Sequence, residues 1–434
     1  MKIMIMAGGK GTRIASINSE LPKPMLPLSG KPVLEYEIQN IKEQGYQEII
    51  LVVGYLKHAI MEYFGDGAKW GMTIRYIEED VPLGTGGALY YLKKEKEDIL
   101  LLNGDIVFDI DIRRMYAWHL KHGGIVTLLT HPNAHPYDSG IIIADEEDRV
   151  SDWLHKEEPR LWYQNRVNAG IHMISPRIFN RKYGLFQELK KLDLDRDILE
   201  PLTETGEVYA YNSPEYVKDM GTPDRFVMTA RDIQANKIQA KSLRKKQKAI
   251  FLDRDGTLNK YVGFLRQAEE LELLPGVASA IRAMNQSNYL VIVVTNQPVI
   301  ARGEVTSAQL REIHNKLETL LGQEGAYVDA IYYCPHHPDK GYDGEIEALK
   351  IDCDCRKPKP GMLIKAARDF NIDLSQSWMI GDEEKDMRAG QAAGCRTVFL
   401  DGSYKDTAEK KYGQFYTFHS LKEFTDSILE GGRI

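Results

Sequence analysis

A chain of 434 residues, 43% hydrophobic and 27% charged, is apolar enough to bury about two to three cores and too apolar to stay disordered. Its formal charge of −7 argues against nucleic acid as a partner. The opening apolar run MKIMIMA stops at Gly8, too short for a signal-peptide core, and no apolar stretch is long enough to span a bilayer, so no membrane role is expected. Four cysteines make no disulfide framework; three of them crowd between Cys334 and Cys355, which suits a metal in a reducing cytoplasm. No internal repeat is visible.

In chain order, the strand-like KIMIMA opens into Gly8-Gly9-Lys10-Gly11-Thr12-Arg13. Glycines let backbone N–H groups approach phosphate oxygens, and Lys10 and Arg13 add positive charge. The glycine spacing is not that of a dinucleotide fingerprint. Pro22-Lys23-Pro24 predicts a stiff, extended segment that presents Lys23 to a second phosphate. An amphipathic stretch from Val33 to Gln44 and the strands EIILVVGY and TIRYIEE then describe α/β layering around a largely parallel sheet.

A second small-residue loop, Leu83 to Leu89, is suited to lie flat against a base or ribose. ILLLNGD ends a buried strand on Asp105, where open α/β sheets bind ligands, and Asp219 stands beside a later turn. A lone strand-end aspartate is more often a cap than a ligand. Two of them in a chain with two phosphate loops point to Mg²⁺. From 234 to 248 the chain becomes helix-favouring and basic, which predicts a solvated helical linker, with no interleaved aromatics for nucleic acid.

Beyond it, AIFLDRDGTLN runs a strand into Asp253 and Asp255, which leave it on one side, and Gly256 turns the chain. Two carboxylates in one mouth ask for a cation. YLVIVVTNQ ends on Thr295-Asn296, a hydroxyl donor for a phosphoryl oxygen. Arg356 and Lys357 supply cations before Pro358, and Asp382 follows a strand with Asp386 one turn on. Cys334-Pro335-His336 and Cys353-Asp354-Cys355 form two ligand pairs, a closed tetrahedral set that predicts a structural Zn²⁺, with His337 the alternative to His336. Cys395 reads as a small buried apolar residue.

As a set, AGGKGTR, PKPMLP, PLGTGGAL, NGD, VNAGIH and DMGTPDRF resemble the sugar-1-phosphate nucleotidyltransferases over residues 1 to about 230. That resemblance implies attack of a sugar 1-phosphate on the α-phosphorus of a nucleoside triphosphate, with loss of pyrophosphate. It implies that Gly8, Gly9, Gly11, Thr12 and Arg13 hold the triphosphate, Lys23 neutralises the transferring phosphate, and Asp105 and Asp219 bind Mg²⁺. It sets Gly86 and Gly87 near the base and Asn168 near the sugar. Where the family has Glu-Lys-Pro, this chain has His155-Lys156-Glu157, which makes Lys156 the candidate for the sugar phosphate and leaves the pocket open to revision.

Residues 248 to about 397 resemble the haloacid-dehalogenase-like phosphatases through their four motifs in order: acid pair, hydroxyl, cation, acid. The resemblance implies Asp253 as nucleophile, Asp255 as proton carrier, Thr295 and Lys357 on the phosphoryl group, and Mg²⁺ at Asp253, Asp255 and Asp382. The zinc loop is similar to that of the heptose 1,7-bisphosphate phosphatases and their histidinol-phosphate relatives. Gly256 to Pro275 leaves no room for a large cap, so Asn296, Arg302 and Arg356 would rim an open site.

The expected architecture is α/β: a Rossmann-like nucleotidyltransferase domain at 1–233, a basic helical linker at 234–248, and a HAD-like phosphatase domain at 249–434. Its expected substrates are GTP and heptose phosphates, and oligomeric state stays open, homo-oligomers included. Two rivals remain: a hexose-1-phosphate transferase fused to a histidinol-phosphate-type phosphatase, and a non-catalytic nucleotide-sugar sensor regulating the phosphatase.

Overall fold

The computed structural model describes residues 1–9, 20–402 and 415–430. The chain clusters into two compact units. The first holds Met1–His131, Ile142–Leu154 and Arg166–Ser242; the second holds Pro132–Ile141, His155–Asn165 and the chain from Leu243 onward. Each is a mixed α/β unit with its own apolar cores.

In the first unit, β1 (Lys2–Met6), α1 (Val33–Glu43), β2 (Glu48–Val53), α2 (Lys57–Phe64), β3 (Thr73–Glu78) and β4 (Ile99–Asn103) make the parallel half of a nine-stranded sheet. β1 is flanked by β4 and β2, and β2 by β3. The strands are continuous apolar runs because helices and loops cover both faces. Next come β5 (Ile106–Asp109), α3 (Ile112–His122), β6 (Val126–His131), β7 (Ile141–Ala144), β8 (Val150–Leu154) and β9 (Val167–Ile174). β9 runs antiparallel to β4 and β6, with a register break between Asn168 and His172. β10 (Val208–Asn212) adds to β6. β11 (Tyr216–Asp219) pairs with β5 in a small sheet of its own, bringing Asp219 opposite Ile106.

α4 (Pro223–Gln234) closes the unit, capped by the Thr222 hydroxyl, which accepts from Arg225 N. The expected linker helix does not form. Asn236 takes a left-handed φ of 53°, Lys237 N returns to Asp232 O, and the chain proceeds in turns that bury Ser242 and Leu243. A left-handed residue after a helix ends it whatever the propensity beyond. Around Lys23 the chain is likewise not extended throughout: Lys23–Met25 make one 3₁₀ turn between extended flanks.

The second unit is a six-stranded parallel sheet in the order β14-β13-β12-β15-β16-β17. These are β12 (Lys248–Leu252), β13 (Tyr289–Asn296), β14 (Ala330–Cys334), β15 (Trp378–Gly381), β16 (Arg396–Leu400) and β17 (Tyr416–Phe418). α5 (Val277–Gln286), α6 (Ser307–Gln323), α7 (Gly361–Asp369) and α8 (Glu384–Ala393) connect them. β12, β13 and β15 are neighbours, so the ends carrying Asp253, Thr295 and Asp382 converge at the carboxyl edge of the sheet. Residues 260–275 hold a single short 3₁₀ turn, Ala268–Glu270, and no cap domain. The two segments drawn from earlier in the chain pack on α6: Thr319 Oγ1 accepts from Tyr163 N at 2.9 Å, Glu318 accepts from Asn165 N, and Trp162 joins the core.

Candidate active sites

In the second unit the strand ends assemble a charged cluster. Lys357, fully buried, places Nζ 2.8 Å from Asp253 Oδ1 and 2.6 Å from Asp386 Oδ1. Burial opposes its charge, but Asp253 and Asp386 more than restore it, pushing its pKa up to about 12. Carboxylate oxygens of Asp253, Asp382 and Asp386 lie within 4.8 Å of one another, a spacing that fits one divalent cation among them. Burial, then Asp253 and Glu383, raise the Asp382 carboxyl to about 6, the repulsion a cation relieves. Gly256, with φ of 84°, is required here because a side chain would overlap the Asp382 carboxylate.

Asp255 does not join that cluster with its side chain. It turns to Arg254, Asn259 and Gln297, and Gln297 Nε2 also donates to Thr295 Oγ1 at 2.8 Å. Burial works to raise its carboxyl, yet Arg254, Asn259 and Gln297 together hold it below the usual range. Asp386 enters in its place, on the first turn of α8 where the helix N-terminus favours an anion. Arg302 stacks 4.4 Å from the centroids of both Phe264 and Tyr342, and Arg356 Nη1 donates to the His336 carbonyl.

The sulfurs of Cys334, Cys353 and Cys355 lie 3.2–3.5 Å apart, with His336 Nδ1 3.3 Å from Cys355 Sγ and 3.7 Å from Cys334 Sγ. All four ligand atoms fit within 4.8 Å. A tetrahedral Zn²⁺ with Zn–S bonds of about 2.3 Å needs edges only slightly longer. His336 is the imidazole of the set; His337 instead accepts from Asp339 N.

In the first unit, Lys23 Nζ pairs with Asp105. Asp219 lies one strand away, its oxygens 2.9 and 2.7 Å from Arg225 Nη1. Burial works to raise the Asp219 carboxyl, and Arg225, Lys23 and the Gly221 N–H offset it to a net lowering. Beneath Asp105, the buried Glu37 accepts from Ile106 N at 3.2 Å, its carboxyl driven well up by burial and then by Asp105. Sequence reasoning missed Glu37, although a glutamate on the apolar face of an amphipathic stretch is a signal. Gly86 is close-packed on Leu194 and Ile198, and Gly87 on Lys190. Asn168 Nδ2 donates to Asp195 Oδ1 at 3.3 Å. Gly8 and Gly9 follow β1, while Lys10, Gly11, Thr12 and Arg13 lie outside the described residues. Lys156 sits exposed on a turn that clusters with the second unit, not with Lys23, Asp105 and Asp219.

Residues 2–236 match the family model described as nucleotidyl transferase, more than half of the chain. The chain belongs to the nucleotidyl transferase family. Residues 354–424 match a HAD-hydrolase-like model, which adds a HAD-like phosphatase to this nucleotidyl transferase. A D-glycero-beta-D-manno-heptose-1,7-bisphosphate 7-phosphatase of Salmonella typhi is 42% identical over 182 residues, 42% of this chain and 94% of the relative. The solved structure of HddC from Yersinia pseudotuberculosis covers 54% of this chain and 99% of its own, at 26% identity and TM-score 0.47. That of a D,D-heptose 1.7-bisphosphate phosphatase from B. bronchiseptica covers 43% and 99%, at 34% identity and TM-score 0.38. This nucleotidyl transferase is thus an enzyme of two kinds, transferase and phosphatase.

Proposed function

We propose that the second unit removes the 7-phosphate of D-glycero-α-D-manno-heptose 1,7-bisphosphate. The first then transfers GMP from GTP to the resulting heptose 1-phosphate, releasing pyrophosphate, in the cytoplasm. The observation that carries the phosphatase half is the Lys357 ammonium held between Asp253 and Asp386 beside Asp382. Kinship with a heptose bisphosphate 7-phosphatase supports the sugar. Guanine and the α anomer rest on the pairing of the two activities. The relative's name carries the β anomer.

In this reading Asp253 attacks phosphorus, Thr295 and Lys357 hold the phosphoryl oxygens, and Asp255 carries the proton. Asp253, Asp382 and Asp386 hold Mg²⁺, which supplies charge neutralisation for the incoming phosphate. Arg302 and Arg356 bind the rest of the substrate at the rim. Cys334, His336, Cys353 and Cys355 hold a structural Zn²⁺ that pins the loop carrying Arg356 and Lys357. In the transferase, Lys23 releases Asp105 to meet phosphate, and Asp105 with Asp219 holds Mg²⁺. Gly8 to Arg13 cradle the triphosphate, Gly86 and Gly87 flank the base, and Asn168 meets the sugar. Lys156 is the candidate for the sugar phosphate.

Incubating the chain with the α and β bisphosphates, GTP and Mg²⁺ tests the assignment. Equimolar phosphate and pyrophosphate are expected from the α anomer. Phosphate without pyrophosphate would reject the transfer step, and faster turnover of the β anomer would reject the anomer.

A further inference from the structure

Arg254, between the two aspartates, is completely buried. A guanidinium keeps its charge at any ordinary pH, so its burial is costly unless its fork is matched on every side. Here it is matched in two directions. Nε lies 3.1 Å from Asp255 Oδ1, and Nη2 lies 2.9 and 2.8 Å from Oδ1 and Oδ2. Nη1 points to Nε2 of His314, on α6, at 3.2 Å. Burial, then the charge of Arg254, push the His314 pKa down to about 3, so the ring is neutral and Nε2 accepts. Asn259 Nδ2 and Gln297 Nε2 complete the shell of Asp255 at 3.1 and 3.0 Å.

A carboxylate plane turns easily about its last torsion, and a bidentate fork removes that freedom. We propose that Arg254, itself oriented by His314, is a positioning residue that fixes the plane of the Asp255 carboxyl for proton transfer at the phosphatase site. This rests on the reading of Asp255 as proton carrier. In the first step an Asp253 oxygen bonds to phosphorus and the ester P–O bond breaks. Its electron pair stays on the leaving oxygen, which takes a proton that Asp255, ionised at rest, has drawn from solvent. In the second step water attacks phosphorus, its proton passes to Asp255, and the bond to Asp253 breaks, giving phosphate and the free carboxylate.

The test compares the full chain with its D255N, R254M, R254K and H314F variants, in Mg²⁺, on two esters. p-Nitrophenyl phosphate expels its leaving group without a proton; an alkyl phosphomonoester needs one. First-turnover release of each alcohol is measured by rapid quench. A misplaced proton carrier is expected to slow the alkyl ester about 100-fold in R254M while p-nitrophenol release falls less than about threefold. H314F should shift the ratio the same way by about tenfold and add nothing in the R254M background, and R254K should recover little, since lysine cannot fork. Equal losses on the two esters in R254M and in H314F, which keeps the guanidinium, would overturn the positioning role. If D255N itself lost both equally, the proton-carrier reading would fail first; if D255N discriminates and the others do not, only the present inference falls.

Discussion

Asn296 and Lys357 clamp each other: Lys357 N donates to Asn296 Oδ1 and Asn296 Nδ2 donates to Lys357 O, both at 3.0 Å. The exchange ties the end of β13 to the backbone of the buried lysine, 61 residues later. Removing two such bonds is worth roughly 2 kcal/mol. Asn296→Ala should therefore lower the kcat of phosphate release at least about tenfold and leave pyrophosphate release unchanged, as parallel assays on one preparation would show.

Lys357 itself balances two carboxylates in a buried site. Lys357→Met leaves them facing each other, a change of about 3–5 kcal/mol against the folded state. Urea titration without metal should show that loss, and Mg²⁺ should return part of it by taking the place of the ammonium charge.

The raised Asp382 carboxyl sets a pH dependence in metal-free protein. Its folded pKa is about 6 against 3.8 for the ordinary group, so between those values the folded chain holds a proton that the unfolded chain has lost. Stability from this group is full below the lower value and falls as pH rises to the upper one, by at most about 3 kcal/mol. Denaturation midpoints from pH 4 to 7 should show that decline. Asp382→Asn should flatten it, and Mg²⁺, which binds the ionised form, should reverse it.

The three cysteines and His336 predict one zinc per chain by elemental analysis. Cys353→Ser should release that metal and depress phosphate release at least about tenfold, because the loop presenting Arg356 and Lys357 loses its anchor. Transfer from supplied heptose 1-phosphate should persist.

The two chemistries should separate cleanly by mutation. Asp253→Asn is expected to abolish phosphate release while sparing pyrophosphate release, and Asp105→Ala to do the reverse. Loss of both activities from either change would refute independent sites.

What the sequence revealed follows from how local each signal is. Strands that end on Asp253, Thr295 and Asp382 announce themselves by an apolar run followed by a polar tip, and their convergence follows from parallel order. The Cys/His set was legible for the same reason: its spacing is the signal. Arg254 was passed over because its partner His314 is sixty residues away, and nothing near it records that the guanidinium is buried. Composition also suggested a helix after α4, but the left-handed turn at Asn236 depends on one residue that averages conceal. That the turn of Lys156 clusters with the second unit is a tertiary fact that its neighbours in sequence do not record.

Since Pro132–Ile141 and His155–Asn165 fold with the later chain, the second unit is discontinuous in the gene. A scission near Leu243 would leave bare, in the downstream fragment, the side of α6 that Tyr163, Asn165 and Trp162 now cover.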